Sequence, residues 1–245
     1  MKVAQYLDAA RTLPLIFREE LTGGEPFVIL SPHPDDETLG LGGLIAQARR
    51  AGQEVHVVVM TDGAGSHPNS IEYPREILVD LRKAEVRIAG EILGMDATCV
   101  HHLDLPDTQA PSEGPAFDEA VSVVSELIRS VGAKHLFVTW DQDPHCDHKA
   151  AADLAAAVRH GRSDIRLWAY PIWGWHLDPD DHLPGEPRGY RLDIRPERVV
   201  KDKAIAAHAS QMSSLIGDDP TGFRFTQETL APFLGPYEYV FEVEP

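Results

Sequence analysis

Cysteine is nearly missing from this 245-residue chain: Cys99 and Cys146 are the whole complement. That excludes a disulfide framework and a four-thiolate zinc site, and it fits a reducing compartment. Positive charge is scarce as well, with 22 Lys and Arg against 39 Asp and Glu and a formal net charge of −17. The balance argues against nucleic acid or an anionic membrane as partner, since either needs a basic face. A small local basic pocket remains allowed. Long apolar runs are absent too: no stretch approaches the roughly 20 residues that span a bilayer. Asp8 interrupts the N-terminus before an apolar core of signal-peptide length forms. There is no internal repeat and no low-complexity tract. The expectation is a soluble cytoplasmic protein with no transmembrane segment, compatible with a homo-oligomer.

What the chain does contain is a globular composition, 43% hydrophobic and 25% charged. Its length suits one domain over 1–245, with a core at about 27–160 and an elaboration at about 161–245. Residues 1–25 carry an amphipathic helical pattern ending in Gly23-Gly24-Glu25-Pro26. Apolar or β-branched runs at 27–30, 55–60, 98–103 and 136–139 have the character of buried strands. Helical periodicities at 39–48, 77–93, 116–131 and 147–159 separate and follow them. This alternation predicts an α/β fold, a Rossmann-like, mostly parallel sheet with flanking helices. Later strands are expected at 167–170, 190–194 and 237–243, and one helix at 199–215. Ligands of such folds sit beyond the carboxyl ends of the strands. The loops after Leu30, Met60, Leu103 and Thr139 should therefore share one crevice.

The first of those loops is Ser31-Pro32-His33-Pro34-Asp35-Asp36-Glu37-Thr38. A helix start explains its carboxylates through the dipole, but not a histidine between two prolines after a buried strand. His33 and Asp36, three apart at a helix start, can face one ion. The loop after the fourth of these strands, Trp140-Asp141-Gln142-Asp143-Pro144-His145-Cys146-Asp147-His148, adds two histidines three apart. Two His and one Asp with an open position are the ligand pattern of a catalytic zinc site, whereas structural sites use four closed ligands. Iron, cobalt and manganese accept the same donors.

His-Pro-Asp-Asp-Glu after a first strand and His-x-Asp-His after a later one resemble the PIG-L/LmbE-like N-acetylglucosaminyl deacetylase family. The likeness extends to Thr61-Asp62-Gly63-Ala64-Gly65, to Arg82-Lys83-Ala84-Glu85 with Leu93-Gly94, to Leu103-Asp104-Leu105-Pro106-Asp107, and to Lys203 through His208, Ser210 and Gln211. The resemblance implies a metal-dependent hydrolase that removes the N-acetyl group of an N-acetylglucosamine-type sugar in a glycoconjugate or small glycoside. It implies His33, Asp36 and His148 as ligands of Zn2+ or another divalent ion, and Asp35 as general base. His145 would protonate the leaving amine or polarise the oxyanion, oriented by Asp147. Arg82 and Asp107 would contact substrate. Each type suits its task, since a divalent ion activates water and a nearby carboxylate accepts its proton.

Other features carry less. Cys146, between two histidines in a tight turn, is expected to point elsewhere and fill space. Trp168 fits strand-end packing, while Trp173 and Trp175, among Pro and Gly, offer a flat apolar platform for a sugar ring. Two other classes compete: a metal-dependent phosphoesterase, which needs two ions about 3.5–4 Å apart, and a binding protein that has kept the fold. The base candidate Asp35 disfavours the second, because a carrier needs none.

Overall fold

In the computed structural model, which describes residues 1–244, helices flank both faces of one eight-stranded sheet. The strands are β1 (Leu15–Ile16), β2 (Phe27–Ser31), β3 (Val55–Thr61), β4 (Val100–Leu105), β5 (His135–Thr139), β6 (Arg166–Tyr170), β7 (Gly189–Asp193) and β8 (Tyr237–Glu242). Their order is β1-β7-β8-β6-β5-β2-β3-β4, and only β8 runs antiparallel to its neighbours. The principal helices are α1 (Val3–Ala10), α2 (Arg18–Thr22), α3 (Asp36–Arg50), α4 (Arg75–Ile92), α5 (Pro115–Val131), α6 (Cys146–Gly161) and α7 (Arg198–Ala207).

Every residue of β2 and β3 is buried, which is why both strands are continuous apolar runs rather than alternating ones. Side chains divide between two cores with the period of the pleat. Phe27, Ile29, Val57 and Val59 join Leu44, Ile45 and Val86 of α3 and α4 on one face. Val28, Leu30, Val58 and Met60 join Val124, Ile128, Leu154 and Val158 of α5 and α6 on the other. From β2 the chain steps outward to β3 and β4, then returns to lay β5 on the opposite side of β2. This reversal opens a crevice above the carboxyl ends of β2 and β5, where α/β sheets bind ligands.

Two expected elements differ. Residues 1–25 form not one helix but α1, the edge strand β1 and α2, because Leu15 and Ile16 pair in parallel with Arg191 and Leu192. The helix expected over 199–215 breaks at His208, whose ψ of 57° is not helical. There the imidazole Nε2 meets Thr38 Oγ1 at 3.1 Å, and the next turn is pinned by Ser210 donating twice to Glu85. Tertiary hydrogen bonds override the local periodicity.

The last strand also fixes α3. Leu41 departs from helical geometry (φ −135°), and the amides of Gly43 and Leu44 beyond it donate to the Glu238 carboxylate at 2.6 and 2.8 Å. The same carboxylate pairs with Lys201 Nζ at 2.7 Å, with both side chains buried. Removing one member of a buried pair typically costs about 3–5 kcal/mol, because the other charge stays uncompensated. Glu238→Ala should lower the unfolding free energy by about that amount, and by more than Lys201→Met, in urea titrations followed by circular dichroism.

Candidate active site

The crevice gathers the loops after β2, β3, β4 and β5, with α3 and α6 starting at its floor. His33 Nδ1, Asp36 Oδ2 and His148 Nε2 form a nearly equilateral triangle with edges of 3.3, 3.2 and 3.2 Å. Ligand atoms about 2.0–2.1 Å from an ion in a tetrahedral site lie about 3.3–3.4 Å apart, so the triangle has the dimensions of three corners of such a site. A ring nitrogen of His145 comes within 4.8 Å of those of His33 and His148.

The far nitrogen of each triangle imidazole is held by a buried carboxylate. His33 Nε2 meets Asp147 Oδ2 at 3.0 Å and Asp107 Oδ1 at 3.3 Å, and His148 Nδ1 meets Asp143 Oδ2 at 2.9 Å. Carboxylates in this position fix the tautomer that turns the other lone pair toward a metal. Asp147 also accepts from the amides of Thr108 and Ala110, and Asp143 from those of Ile172, Trp173 and Gly174.

Charge in the crevice is lopsided. Asp35, Asp36, Glu37, Asp107, Asp143 and Asp147 are all buried, while Arg82 is the only Lys or Arg lining the cavity. Burial alone would lower the pKa of His33, but hydrogen bonds to Asp107, Asp147 and Asp36 outweigh it and hold it well above 6.5. His148 is raised likewise to about 9, burial being overcome by the Asp36 charge and the Asp143 hydrogen bond. Asp36, despite burial, is pulled far below the usual carboxylate range by His148 and His33. Such a donor set calls for positive charge, and a divalent cation fits it.

Asp35 sits beside the triangle. Its φ of 155° is unusual for a residue with a Cβ. Arg82 holds it there, Nη2 donating to Asp35 Oδ2 at 3.0 Å and to Pro34 O at 2.9 Å, while Nη1 donates to Gly63 O at 2.8 Å. Burial pushes the Asp35 carboxyl up to about 8 against the pull of Arg82.

The structure brings most of the expected residues together, in contacts the sequence did not specify. The Asp147 carboxylate lies 3.9 Å from His145 Nδ1; it is the Asp147 backbone amide that donates to that nitrogen, at 3.2 Å. Both terminal nitrogens of Arg82 are spent on Asp35 and two carbonyls, so it positions the loop, while its buried Nε has no partner among the described residues. Asp107 lines the cavity and also accepts from the Gly65 amide at 2.8 Å. Trp173 lines the cavity, but Trp175 does not: it packs edge-on to Tyr239 under the Arg11 guanidinium. Cys146 is exposed, its Sγ 3.4 Å from Thr108 O. Trp168 is fully buried, and its indole donates to His135. His101 is half-buried on β4, 3.0 Å from His56 Nδ1. Three residues went unnoticed in the sequence: Asp143, five positions before His148, and Phe223 and Phe225 of the cavity wall. A larger groove of about 840 Å3, lined by Arg159, Asp164, Arg166 and Glu242, lies at the other end of β6, and no metal-binding group of three is found there among the described residues.

Fold and site together define an α/β protein with a triangle of two imidazoles and a carboxylate, and a second buried carboxylate beside it, at the switch point of its sheet. The chain belongs to the PIG-L family, whose model, GlcNAc-PI de-N-acetylase, matches residues 28–159. It is 30% identical to the diacetylchitobiose deacetylase of Thermococcus kodakarensis across 76% of this chain and 72% of that one. A putative glucosamine-6-phosphate deaminase-like protein of Bacteroides thetaiotaomicron is 25% identical across 87% of this chain, which spans only 37% of that relative. Among solved structures, the N,N'-diacetylchitobiose deacetylase of Pyrococcus horikoshii superimposes with a TM-score of 0.65 at 22% identity, covering 88% of this chain and 82% of that one. Among the described residues no helix is long and apolar enough to cross a membrane.

Two outcomes follow from this geometry. Asp143→Ala should weaken metal binding about 10–100-fold, the usual cost of losing such a partner, measured by competition with a chelating dye. In chelator-stripped protein, His148 keeps its proton up to about pH 9 when folded but only to about 6.5 when unfolded, and His33 is shifted the same way. The His148 contribution is complete below pH 6.5 and disappears as pH rises through about 9, and that of His33 falls in the same direction. Asp35, protonated up to about 8 in the fold against 3.8 ordinarily, also loses stability as pH rises. The stripped protein should therefore show a falling Tm from pH 6.5 to 9, and a divalent ion taking the place of these protons would flatten the fall in differential scanning calorimetry.

Proposed function

We propose that this protein hydrolyses the N-acetyl amide of an N-acetylglucosamine-type sugar, with one divalent ion, zinc as first candidate, held by His33, Asp36 and His148. The observation that carries this reading is the triangle with Asp35 beside it at the floor of an open cavity. When bound, the ion supplies Lewis acidity to the amide carbonyl and eases deprotonation of water.

The chain's own groups do the rest. Asp35, anchored by Arg82, takes the proton of the attacking water in its ionised form, which a cation bound beside it would favour. The same proton is then at hand for the leaving amine. His145 has its pKa lowered by burial and by the neighbouring His33 and His148, so it is neutral near pH 7. Its Nδ1 accepts the Asp147 amide proton, which leaves its own proton on Nε2. That N–H stabilises the oxyanion as it forms. The phosphoesterase alternative is less well supported: His33, Asp107 and Asp147 form a second group that could hold a cation, but ions on the two nitrogens of one imidazole would lie farther apart than the about 3.5–4 Å that two-metal hydrolysis needs.

Released acetate from a panel of N-acetylhexosamine derivatives, with and without added divalent metal, tests the reading. Asp35→Asn should keep one equivalent of metal and lose about 10²–10⁴-fold in kcat. Near-normal turnover in that variant would assign the base elsewhere.

A further inference from the structure

The cavity, about 280 Å3 in volume, has two unlike ends. Its floor is built from imidazoles and carboxylates that are almost fully buried, and its mouth is aromatic. Trp173 and Phe225 lie parallel, 5.5 Å apart, and Phe223 stands edge-on to both at 5.6 and 5.0 Å. Phe223 is 37% exposed. This wall is fixed before any ligand arrives. The Phe223 amide donates to Ser66 O at 2.7 Å, the Phe225 amide to Gln211 O at 2.9 Å, and the Trp173 amide to Asp143. Asp218 accepts from the Ser70 hydroxyl and the amides of Ile71 and Glu72, clasping the two loops that form the mouth. At Gly222 a Cβ would collide with the His67 ring, so the loop packs there without a side chain.

Among the described residues the only Lys or Arg lining this space is Arg82, and both its terminal nitrogens are committed. Arg224, exposed between Phe223 and Phe225, is outside the lining. Asp35, Asp36 and Asp107 line the same cavity. A phosphate at the mouth would meet aromatic faces and a negative field. The scissile carbonyl must reach the floor, so a substituent on the anomeric oxygen that extends away from the amide reaches the mouth. Resting on the deacetylase reading above, we infer that the substrate is a neutral N-acetylated amino sugar with an apolar, ring-bearing aglycone, which stacks on the Phe223–Trp173–Phe225 wall. Aromatic contact of this kind favours the ring-bearing ligand roughly three- to tenfold.

The test uses the metal-replete full chain with phenyl and methyl glycosides of N-acetylglucosamine, N-acetylglucosamine 1-phosphate, and a methyl glycoside with butyryl in place of acetyl. Acetate or butyrate release gives kcat/KM, and calorimetry gives Kd for the same compounds. The phenyl glycoside should exceed the methyl glycoside by roughly three- to tenfold on both measures, and the phosphate should fall below both. Phe223→Ala, with Phe223→Leu as a second variant, should bring the phenyl-to-methyl ratio toward one. Equal ratios in the unmodified protein, preference for the phosphate, or a gain from butyryl that Phe223→Ala removes would each overturn the inference. Should no compound release its acyl group, the deacetylase reading fails, and the calorimetric phenyl-to-methyl ratio still decides what the wall binds.

Discussion

The structure turns on an unbalanced burial of negative charge. Carboxylates from the loops after β2, β4 and β5 converge where the strand order reverses, and one guanidinium is the only permanent cation among them. Isolated, such groups would be expelled or protonated. Here each is answered: Asp147 and Asp143 by backbone amides and imidazoles, Asp36 by two imidazoles, Asp35 by Arg82. The remaining deficit is one that a divalent ion would satisfy. The conformation of the loops around the site, including the unusual backbone at Asp35, is what this arrangement requires.

Each bond in the cluster is shared with the fold. Asp143 holds the far nitrogen of His148 and also three consecutive amides of the Ile172–Gly174 turn. A single carboxylate thus sets both a candidate ligand and the loop that carries Trp173. Arg82 does the same between α4 and the two loops after β2 and β3. The chemistry at the floor and the shape of the mouth are therefore not independent, although they come from segments far apart in the chain.

Much of this was legible in the sequence, because period and spacing report local structure. Buried parallel strands declared themselves as continuous apolar runs, and the crossover logic placed the loops after Leu30 and Thr139 in one crevice. His33, Asp36 and His148 stood out because they sit in two motifs shared with a known family, the first of which puts a histidine between two prolines directly after a buried strand. What stayed hidden depends on contacts between distant segments. Nothing local distinguishes Asp143, which accepts amides some thirty residues away, or says that the Asp147 carboxylate faces His33 rather than His145. Phe223 and Phe225 lie in a stretch without regular structure, and the clasp through Asp218 and their own amide bonds to Ser66 and Gln211 bring them over the site. Trp173 and Trp175 looked alike in sequence; a short 3₁₀ turn sends one to the cavity and the other to the far packing against Tyr239.

The strand order also constrains how the molecule can be assembled. β8 is synthesised after every other strand, yet it lies inside the sheet, between β6 and β7. Until residues 237–242 leave the ribosome, β6 is an open edge, and β7 with its partner β1 has nothing to join. The β1 segment therefore waits for the later-made β8 before its place in the sheet exists, and α3, which begins at the loop carrying His33 and Asp36, waits for the Glu238 carboxylate beneath its kink. A chain cut short before β8 would present an exposed apolar edge at β6, of the kind that pairs with other chains, so truncation products of this protein are candidates for aggregation rather than for partial function.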